Sequence, residues 1–274
     1  MTGHRSGHRS RRRVVAALIA VPLGAALLTG CAPATPAPAT SDLAITGPIV
    51  VFAAASLTES FAQIADAFED ENPGTTVTLS HGGSSALAAG ILSGAPVDVY
   101  AAANAETMAR ITGAGLASSP EVFARTELQI VVPAGNPGNV TGLADFADPD
   151  RTIALCAPEV PCGSASARVF DIAGITPAPD TLEQDVRSAL TKVELGAVDA
   201  ALVYRTDVLV AGDAVEGIDL DEASEAPAEY SVVALSDAPN SPAASAFTAF
   251  VLGGTAQRIL AAAGFTPAAG FTVD

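Results

Sequence analysis

Two serines, Ser56 and Ser84, each follow a predicted strand and precede a predicted helix. The first N–H groups of a helix have no acceptor within the helix, and they lie at the positive end of its dipole. A serine hydroxyl adds one more donor. Two such helix ends facing one cleft would bind an anion without a charged side chain. The alternative is that both serines only cap their helices, and position alone favours that alternative.

The charge of the chain restricts how an anion could be bound. Its 274 residues include 13 basic and 30 acidic ones. Five of the basic residues are arginines that precede Cys31, so the remainder keeps eight basic residues and a formal net charge of −22. Such a surface disfavours nucleic acid and anionic lipid as partners. An anion would therefore depend on local N–H and hydroxyl donors.

Catalytic motifs are absent from the sequence. His81 is the one histidine after Cys31, so neither a histidine-built metal site nor a proton relay is expected. The run from His81 to Ser84 is superficially similar to an oxyanion-hole motif of esterases, but no G-x-S-x-G elbow accompanies it. Neither common phosphate-binding glycine motif is present. We predict no enzyme, no cofactor and no metal held by side chains; a secreted serine hydrolase is the catalytic alternative.

Two further cysteines, Cys156 and Cys162, lie six residues apart with two prolines between them. Outside the cytoplasm such a pair predicts a disulfide. A loop of this size would stabilise the fold by about 2 kcal/mol. A redox or nucleophilic thiol is the weaker alternative, because neither a histidine nor a CxxC spacing supports it.

The N-terminus has the features of an export signal. A basic segment is followed by an apolar run at 14–28, which Pro22 and Gly24 interrupt and which is too short to span a bilayer. The run ends in Leu28-Thr29-Gly30-Cys31, which is similar to the lipobox of bacterial lipoproteins. We predict a signal peptide at 1–30, lipidation of Cys31, a Pro-rich tether at 31–46 and an extracytoplasmic location at the cell membrane. The choice between general and twin-arginine export stays open.

The rest of the chain alternates strand and helix patterns. Apolar residues at helical spacing follow a strand at 48–55, and Ser56 with Glu59 forms a capping-box pattern. Further strands are predicted at 75–80, 97–102, 128–132, 152–156, 200–204 and 232–235, with helices after Ser84, Asn104, Cys162 and Asp185 and two near the C-terminus. This alternation is typical of an α/β protein with a largely parallel sheet.

Five runs in this order resemble the periplasmic molybdate-binding protein family of ABC importers. They are VFAAASLTESF (51–61), SSALAAGI (84–91) with GAPVDVYAAA just after, PEVPCG (158–163), DVRSAL (185–190) and ALVYRTD (201–207). The resemblance covers about residues 48–270. It implies a two-lobed type II periplasmic-binding-protein fold with a cleft between two α/β domains. Lobe 1 would comprise 47–126 and 230–274, and lobe 2 would comprise 127–229.

The resemblance also implies the ligand and its binding residues. The oxyanion, molybdate or tungstate, would be bound by Ser56, Ser84, Cys162, Val186 and Tyr204. The serines would supply hydroxyl and N–H donors, Cys162 and Val186 N–H groups alone, and Tyr204 its phenol. Asp185 would cap the helix that presents the Val186 N–H. The implied partners are an ABC permease and, through the lipid anchor, the membrane, with a monomeric binding protein.

Other anions remain as alternatives at this stage. Sulfate, like molybdate, is fully deprotonated near neutral pH and suits a site made of donors alone. Phosphate keeps a proton and would require an acceptor that the five positions do not provide. An organic carboxylate would recruit an arginine, and Arg187 and Arg205 are adjacent to proposed ligands. Chelated iron is a further alternative.

Overall fold

The chain alternates strands and helices from Gly47 onward. The computed structural model describes residues 45–267 and residue 271. The predicted signal peptide, Cys31 and nearly all of the tether lie outside the described residues. The strands are β1 (Gly47–Ala54), β2 (Thr75–Gly82), β3 (Val99–Ala102), β4 (Glu121–Thr126), β5 (Leu128–Pro133), β6 (Ile153–Cys156), β7 (Thr181–Glu183), β8 (Ala200–Tyr204), β9 (Val215–Ile218), β10 (Ala228–Ala234) and β11 (Thr266–Pro267).

Helices connect most of these strands. The α-helices are α1 (Thr58–Glu71), α2 (Ser84–Leu92), α3 (Ala105–Gly113), α4 (Pro161–Ala173), α5 (Val186–Glu194), α6 (Arg205–Ala211), α7 (Ser241–Val251) and α8 (Gly254–Ala262). A short 3₁₀ turn, Ala55–Leu57, separates β1 from α1. None of the described helices combines the length and apolar character that crossing a membrane requires.

Lobe 1 is built on a six-stranded sheet in the order β11-β4-β10-β3-β1-β2. Strand β1 pairs in parallel with β2 and β3, whereas β10 is antiparallel to β3 and β4. Alternate residues of β1 point to opposite faces. Ile49 and Val51 pack in the core cluster that includes Phe61 of α1 and Phe247 of α7, and Val50 packs against the cluster that contains α2 and α3.

Lobe 2 is built on a five-stranded sheet in the order β7-β6-β8-β5-β9. Strand β6 is parallel to β7 and β8, and β5 is antiparallel to β8 and β9. Helices α4, α5 and α6 pack on this sheet. Apolar side chains of both lobes belong to one continuous buried cluster.

The sheets are less parallel than the sequence predicts. The strand predicted at 232–235 begins at Ala228 and runs antiparallel to its neighbours, and β4, β7, β9 and β11 were not predicted. These unpredicted strands have two to six residues, too few to show a clear apolar periodicity, and periodicity does not report strand direction. The sequence prediction of a largely parallel sheet is therefore wrong for β4, β5, β9, β10 and β11, whereas β6 is parallel to both β7 and β8 as predicted.

The two lobes are connected by neighbouring strands. The chain leaves lobe 1 between β4 and β5 and returns between β9 and β10. Strands β4 and β10 are hydrogen-bonded neighbours in which Arg125 lies opposite Glu229, and their side chains form an ion pair at 2.7 Å. Both connections between the lobes therefore meet lobe 1 at the same end of the β4–β10 pair. The exact lobe boundaries stay a prediction.

Candidate functional site

A cavity lies between the lobes and is lined by residues of both. Its volume is about 20 Å³, against roughly 10–15 Å³ for the centre of one water, so the cavity suits one compact group. The lining residues are Ala54, Ala55, Ser56, Gly82, Gly83, Ser84, Ala103, Pro161, Cys162, Asp185, Val186 and Tyr204. All five predicted ligand residues are therefore brought together.

Contacts between the lobes close this cavity. The side chain of Ser85 donates a hydrogen bond to the carbonyl of Glu159, and Asn104 Nδ2 donates to Ser164 Oγ at 3.1 Å. Gly83 is packed so tightly that a Cβ there would lie 2.3 Å from the carbonyl oxygen of Gln184. The structure is thus a closed form of the two-lobed molecule.

Three helices begin at the cavity. Ser84 and Val186 are the first residues of α2 and α5, and Cys162 is the second residue of α4. The N–H groups of a first helical turn have no acceptor within the helix, and the helix dipole is positive at that end. The lining includes one carboxylate, Asp185, and no basic side chain. The arrangement can therefore accept negative charge through dipoles alone.

Ser84 is buried, with 1 % of its surface exposed. Its hydroxyl oxygen accepts a hydrogen bond from the Ala103 N–H at 3.2 Å, and its carbonyl accepts one from the Tyr100 hydroxyl at 2.8 Å. The N-cap of α2 is Gly83, so the expectation that Ser84 caps this helix is wrong. Because the hydroxyl accepts from Ala103, its own proton remains available for a ligand.

Ser56 lies in the 3₁₀ turn that separates β1 from α1. Helix α1 begins two residues later, with Leu57 at its N-cap and no side-chain cap. The predicted capping box of Ser56 and Glu59 is therefore wrong. The Ser56 hydroxyl is instead hydrogen-bonded to the Tyr230 hydroxyl, with the two oxygens 2.8 Å apart.

Asp185 caps α5 as predicted. Its side chain accepts a hydrogen bond from the Ser188 N–H at 2.9 Å. That bond orients the first turn of the helix, in which Val186 is buried and lines the cavity. The carboxylate thus has a structural role at the rim of the cavity.

Cys162 is bonded to Cys156 in the structure. Both cysteines are buried, at the start of α4 and at the end of β6. Gly163 explains why α4 can begin so close to β6, because a Cβ at that position would lie 1.9 Å from the carbonyl oxygen of Ala157. The disulfide and the glycine together hold the first turn of α4 against the end of β6.

Tyr204 ends β8 and is 1 % exposed. Its hydroxyl is fully buried and lacks a hydrogen bond of ordinary geometry within the described residues. Burial, followed by the nearby Asp207 carboxyl, raises the pKa of this phenol, so it stays protonated. A buried O–H without a partner is costly unless a ligand accepts from it.

Several residues near the site were not predicted. Tyr230 bonds Ser56 and packs its ring edge-on against Tyr204, with centroids 5.9 Å apart. Asp207 is fully buried, and burial raises its pKa to about 7 against the opposing effect of Arg187. The partners that join them to the site, Ser56 for Tyr230 and Arg187 for Asp207, are distant in the sequence. The bond that Asp207 accepts from the Tyr204 N–H is local, but it indicates only a helix start.

The two candidate arginines do not line the cavity. Arg187 forms ion pairs with Glu59 and Asp207, and Arg205 is exposed at the start of α6. An arginine clamp for an organic carboxylate is therefore not formed in this closed structure. Among the described residues, no cluster of three or more potential metal-ligating side chains is found either.

Comparison with known proteins places the chain among binding proteins. Residues 49–266 match the family model described as bacterial extracellular solute-binding protein. The molybdate-binding protein ModA of Mycobacterium tuberculosis is 39% identical over 218 residues, which are 79% of this chain and 84% of that protein. The molybdate-binding protein ModA of Escherichia coli is 30% identical over 82% of this chain and 91% of its own length.

Solved structures support the same fold. The periplasmic molybdate-binding protein of Azotobacter vinelandii superposes with a TM-score of 0.66 at 22% identity, covering 80% of this chain and 98% of that one. The sulfate-binding protein SubI of Mycobacterium tuberculosis superposes with a TM-score of 0.71 at 20% identity, covering 82% and 88%. The predicted type II periplasmic-binding-protein fold is confirmed. The chain belongs to the bacterial extracellular solute-binding protein family, and its curated relatives include molybdate-binding proteins.

Proposed function

We propose that this protein captures molybdate or tungstate outside the cytoplasm and delivers it to an ABC importer. The observation that carries the proposal is the cavity between the lobes, which gathers Ser56, Ser84, Cys162, Val186 and Tyr204 without a basic side chain. The 39% identity to mycobacterial molybdate-binding proteins supports the choice of ligand. The ligand is a substrate to be carried, and no cofactor or catalytic step is part of the proposal.

Each lobe contributes donors to the oxyanion. Ser56 and Ser84 would donate from lobe 1 through their hydroxyl and main-chain N–H groups. Cys162 and Val186 would donate through main-chain N–H groups, and Tyr204 through its buried phenol. Hydrogen bonds to a charged acceptor in a site closed to water are stronger than those between neutral groups. The absence of a cation is offset by the number of donors.

A calorimetric ligand panel tests the function. The protein, freed of its lipid, would be titrated with molybdate, tungstate, sulfate and phosphate under identical conditions. We expect tight binding of molybdate and tungstate and much weaker binding of sulfate. Tighter binding of sulfate than of molybdate would reassign the protein to sulfate. Binding of phosphate with the same affinity as molybdate would contradict a site made of donors alone.

The membrane association is a further part of the proposal. We infer that signal peptidase cleavage before Cys31 and acylation of that cysteine anchor a monomer beside its permease. The tether after Cys31 is rich in proline and would hold the folded part away from the bilayer. Mass spectrometry of the protein extracted from washed membranes should show an N-terminus at Cys31 that carries acyl chains. A mature N-terminus without acyl chains would contradict a lipid anchor.

A further inference from the structure

Three charged side chains form a continuous chain from one lobe to the other. Glu59 of α1 belongs to lobe 1, and its carboxylate contacts the Arg187 guanidinium of α5 in lobe 2. Arg187 Nε lies 3.3 Å from Asp207 Oδ1, on α6 of the same lobe. Asp207 is fully buried, whereas the Arg187 side chain is 24% exposed. One arginine therefore joins three helices.

Each member of this chain is attached to a proposed ligand segment. Glu59 is in the first turn of α1, directly after the turn that contains Ser56. Arg187 follows Val186 in the first turn of α5. Asp207 Oδ2 accepts a hydrogen bond from the Tyr204 N–H at 3.2 Å. A displacement of the guanidinium would therefore shift three of the five segments that contain proposed ligand residues.

We propose that Arg187 is a positioning residue that holds the oxyanion site together and stabilises its closed form. This inference rests on the proposed function, because it concerns the residues assigned to the oxyanion. Arg187 does not line the cavity, so it would act on the ligand only through other residues. It orients the Val186 and Tyr204 segments through Asp207, and it joins them to lobe 1 through Glu59.

The two ion pairs have different roles. The pair with Asp207 lies within lobe 2 and places a cation beside a buried carboxyl group, whose charged form would be costly to bury alone. The pair with Glu59 crosses the cleft and can exist only when the lobes are together. A cross-cleft pair that forms after closure should slow ligand release more than it speeds capture. The planar guanidinium can serve both carboxylates at once, whereas a lysine ammonium is a single point charge.

Protein purified from membranes in detergent would be compared as wild type, Arg187→Gln, Arg187→Lys and Glu59→Gln. Arg205→Gln is the matched control, because Arg205 is exposed and carries the same charge as Arg187. Each of the two arginines directly follows a proposed ligand residue. Molybdate affinity would be measured by calorimetry, and its association and dissociation rates by stopped-flow tyrosine fluorescence. Thermal unfolding without ligand would report stability.

We expect R187Q to release molybdate at least about tenfold faster than R205Q, because it removes the ion pairs with both Glu59 and Asp207. E59Q should release it about threefold faster, as suits a partly exposed pair, with its association rate and unfolding temperature unchanged. R187K should fall between R187Q and wild type. Loss of stability alone would not change the dissociation rate of folded E59Q.

Suppose that wild type binds molybdate and that R187Q and E59Q both release it at the rate of R205Q. That result would overturn the positioning role and leave the proposed function intact. If R187Q does not fold, E59Q decides, because it leaves the buried pair with Asp207 in place; dissociation like that of wild type then overturns the inference. Failure of wild type itself to bind molybdate would overturn the proposed function and this inference with it.

Discussion

The hydroxyl oxygens of Ser56 and Tyr230 lie 2.8 Å apart, although 174 residues separate the two in the chain. Tyr230 belongs to β10 and is fully buried, and burial raises the pKa of its phenol well above the ordinary value. Since Ser56 has one proton, it can donate to an oxyanion only while it accepts from Tyr230. With Tyr230 as the donor, this hydrogen bond leaves the Ser56 proton free to be donated to an oxyanion.

Tyr230→Phe should weaken molybdate binding about fivefold, the effect of one hydrogen bond worth about 1 kcal/mol. The ring and its packing against Tyr204 and Phe265 are retained, so unfolding should change little. Calorimetry on the two proteins measures the difference. Unchanged affinity would show that the Ser56 hydroxyl does not need its partner to face the ligand.

Ser84→Ala should weaken molybdate binding about tenfold, because a charge-assisted hydrogen bond is lost from a buried site. Ser93→Ala is the control, since Ser93 lies at the other end of α2 and is exposed. Titration calorimetry would measure the molybdate affinity of both variants. Equal affinity of S84A and S93A would leave Ser84 with its structural bond to Ala103 only.

Gly83→Ala should prevent closure of the cleft. The added Cβ would meet the Gln184 carbonyl oxygen at 2.3 Å in the closed form, and both atoms are held by backbone. We expect a loss of affinity of more than about tenfold, as overpacking at a rigid contact costs roughly 1–3 kcal/mol. Small-angle scattering should show that wild type becomes more compact with molybdate and that G83A does not.

Gly113→Ala provides the control for that experiment, because a Cβ at position 113 meets no heavy atom within 4 Å. It should bind and close like wild type. Compaction of G83A to the same extent as G113A would contradict the closing contact.

Removal of the disulfide should reduce stability and spare binding. The double variant Cys156→Ala and Cys162→Ala should lose about 2 kcal/mol of unfolding free energy, the loop-closure contribution of a small loop. Its molybdate affinity should fall far less than that of S84A, because Cys162 is proposed to donate only through its N–H. Urea unfolding would measure the unfolding free energy, and calorimetry would measure the molybdate affinity. Loss of binding in a folded variant would show that the bridge is needed to present that N–H.

Stability should depend on pH through Asp207. Burial raises the pKa of this carboxyl from 3.8 to about 7, so the folded state retains a proton that the unfolded state has lost. The contribution of Asp207 to the unfolding free energy therefore falls as pH rises from about 4 to about 7. Asp207→Asn should lack this decline while its side-chain oxygen can still accept from the Tyr204 N–H.

Urea unfolding of wild type and D207N between about pH 5 and about pH 8 tests this prediction. Burial lowers the pKa of His81, which acts in the opposite direction, but His81 is present in both proteins and its effect cancels in the difference. Parallel pH profiles would contradict a raised Asp207 pKa.

Local sequence patterns predicted the strands and helices that position the site more accurately than they predicted the hydrogen bonds within the site. Apolar spacing marks β1 and α1, and Asp185 caps α5 as its position before an apolar helix indicates. The capping predictions for Ser56 and Ser84 are wrong. A 3₁₀ turn intervenes in one case, and a contact with Ala103 replaces the cap in the other. Both contacts depend on tertiary packing.

The convergence of five residues on one cavity came from resemblance to a family and not from periodicity. Nothing local to Tyr230 indicates a role, since its partners lie in other elements. The bond of Asp207 to the Tyr204 N–H is local, but it does not indicate the ion pair of Asp207 with Arg187 on another helix. The antiparallel direction of β10 was also beyond the sequence, because an apolar run reads the same in either direction.

The division of the cavity between two bodies has a consequence for unloading. Two proposed donor residues, Ser56 and Ser84, belong to lobe 1, and Cys162, Val186 and Tyr204 belong to lobe 2. Neither set alone surrounds an oxyanion, and neither includes a cation that would keep hold of it. A permease that pulls the lobes apart would therefore empty the site without competing for the ligand chemically. Separation of the lobes would then be sufficient for release of the ligand.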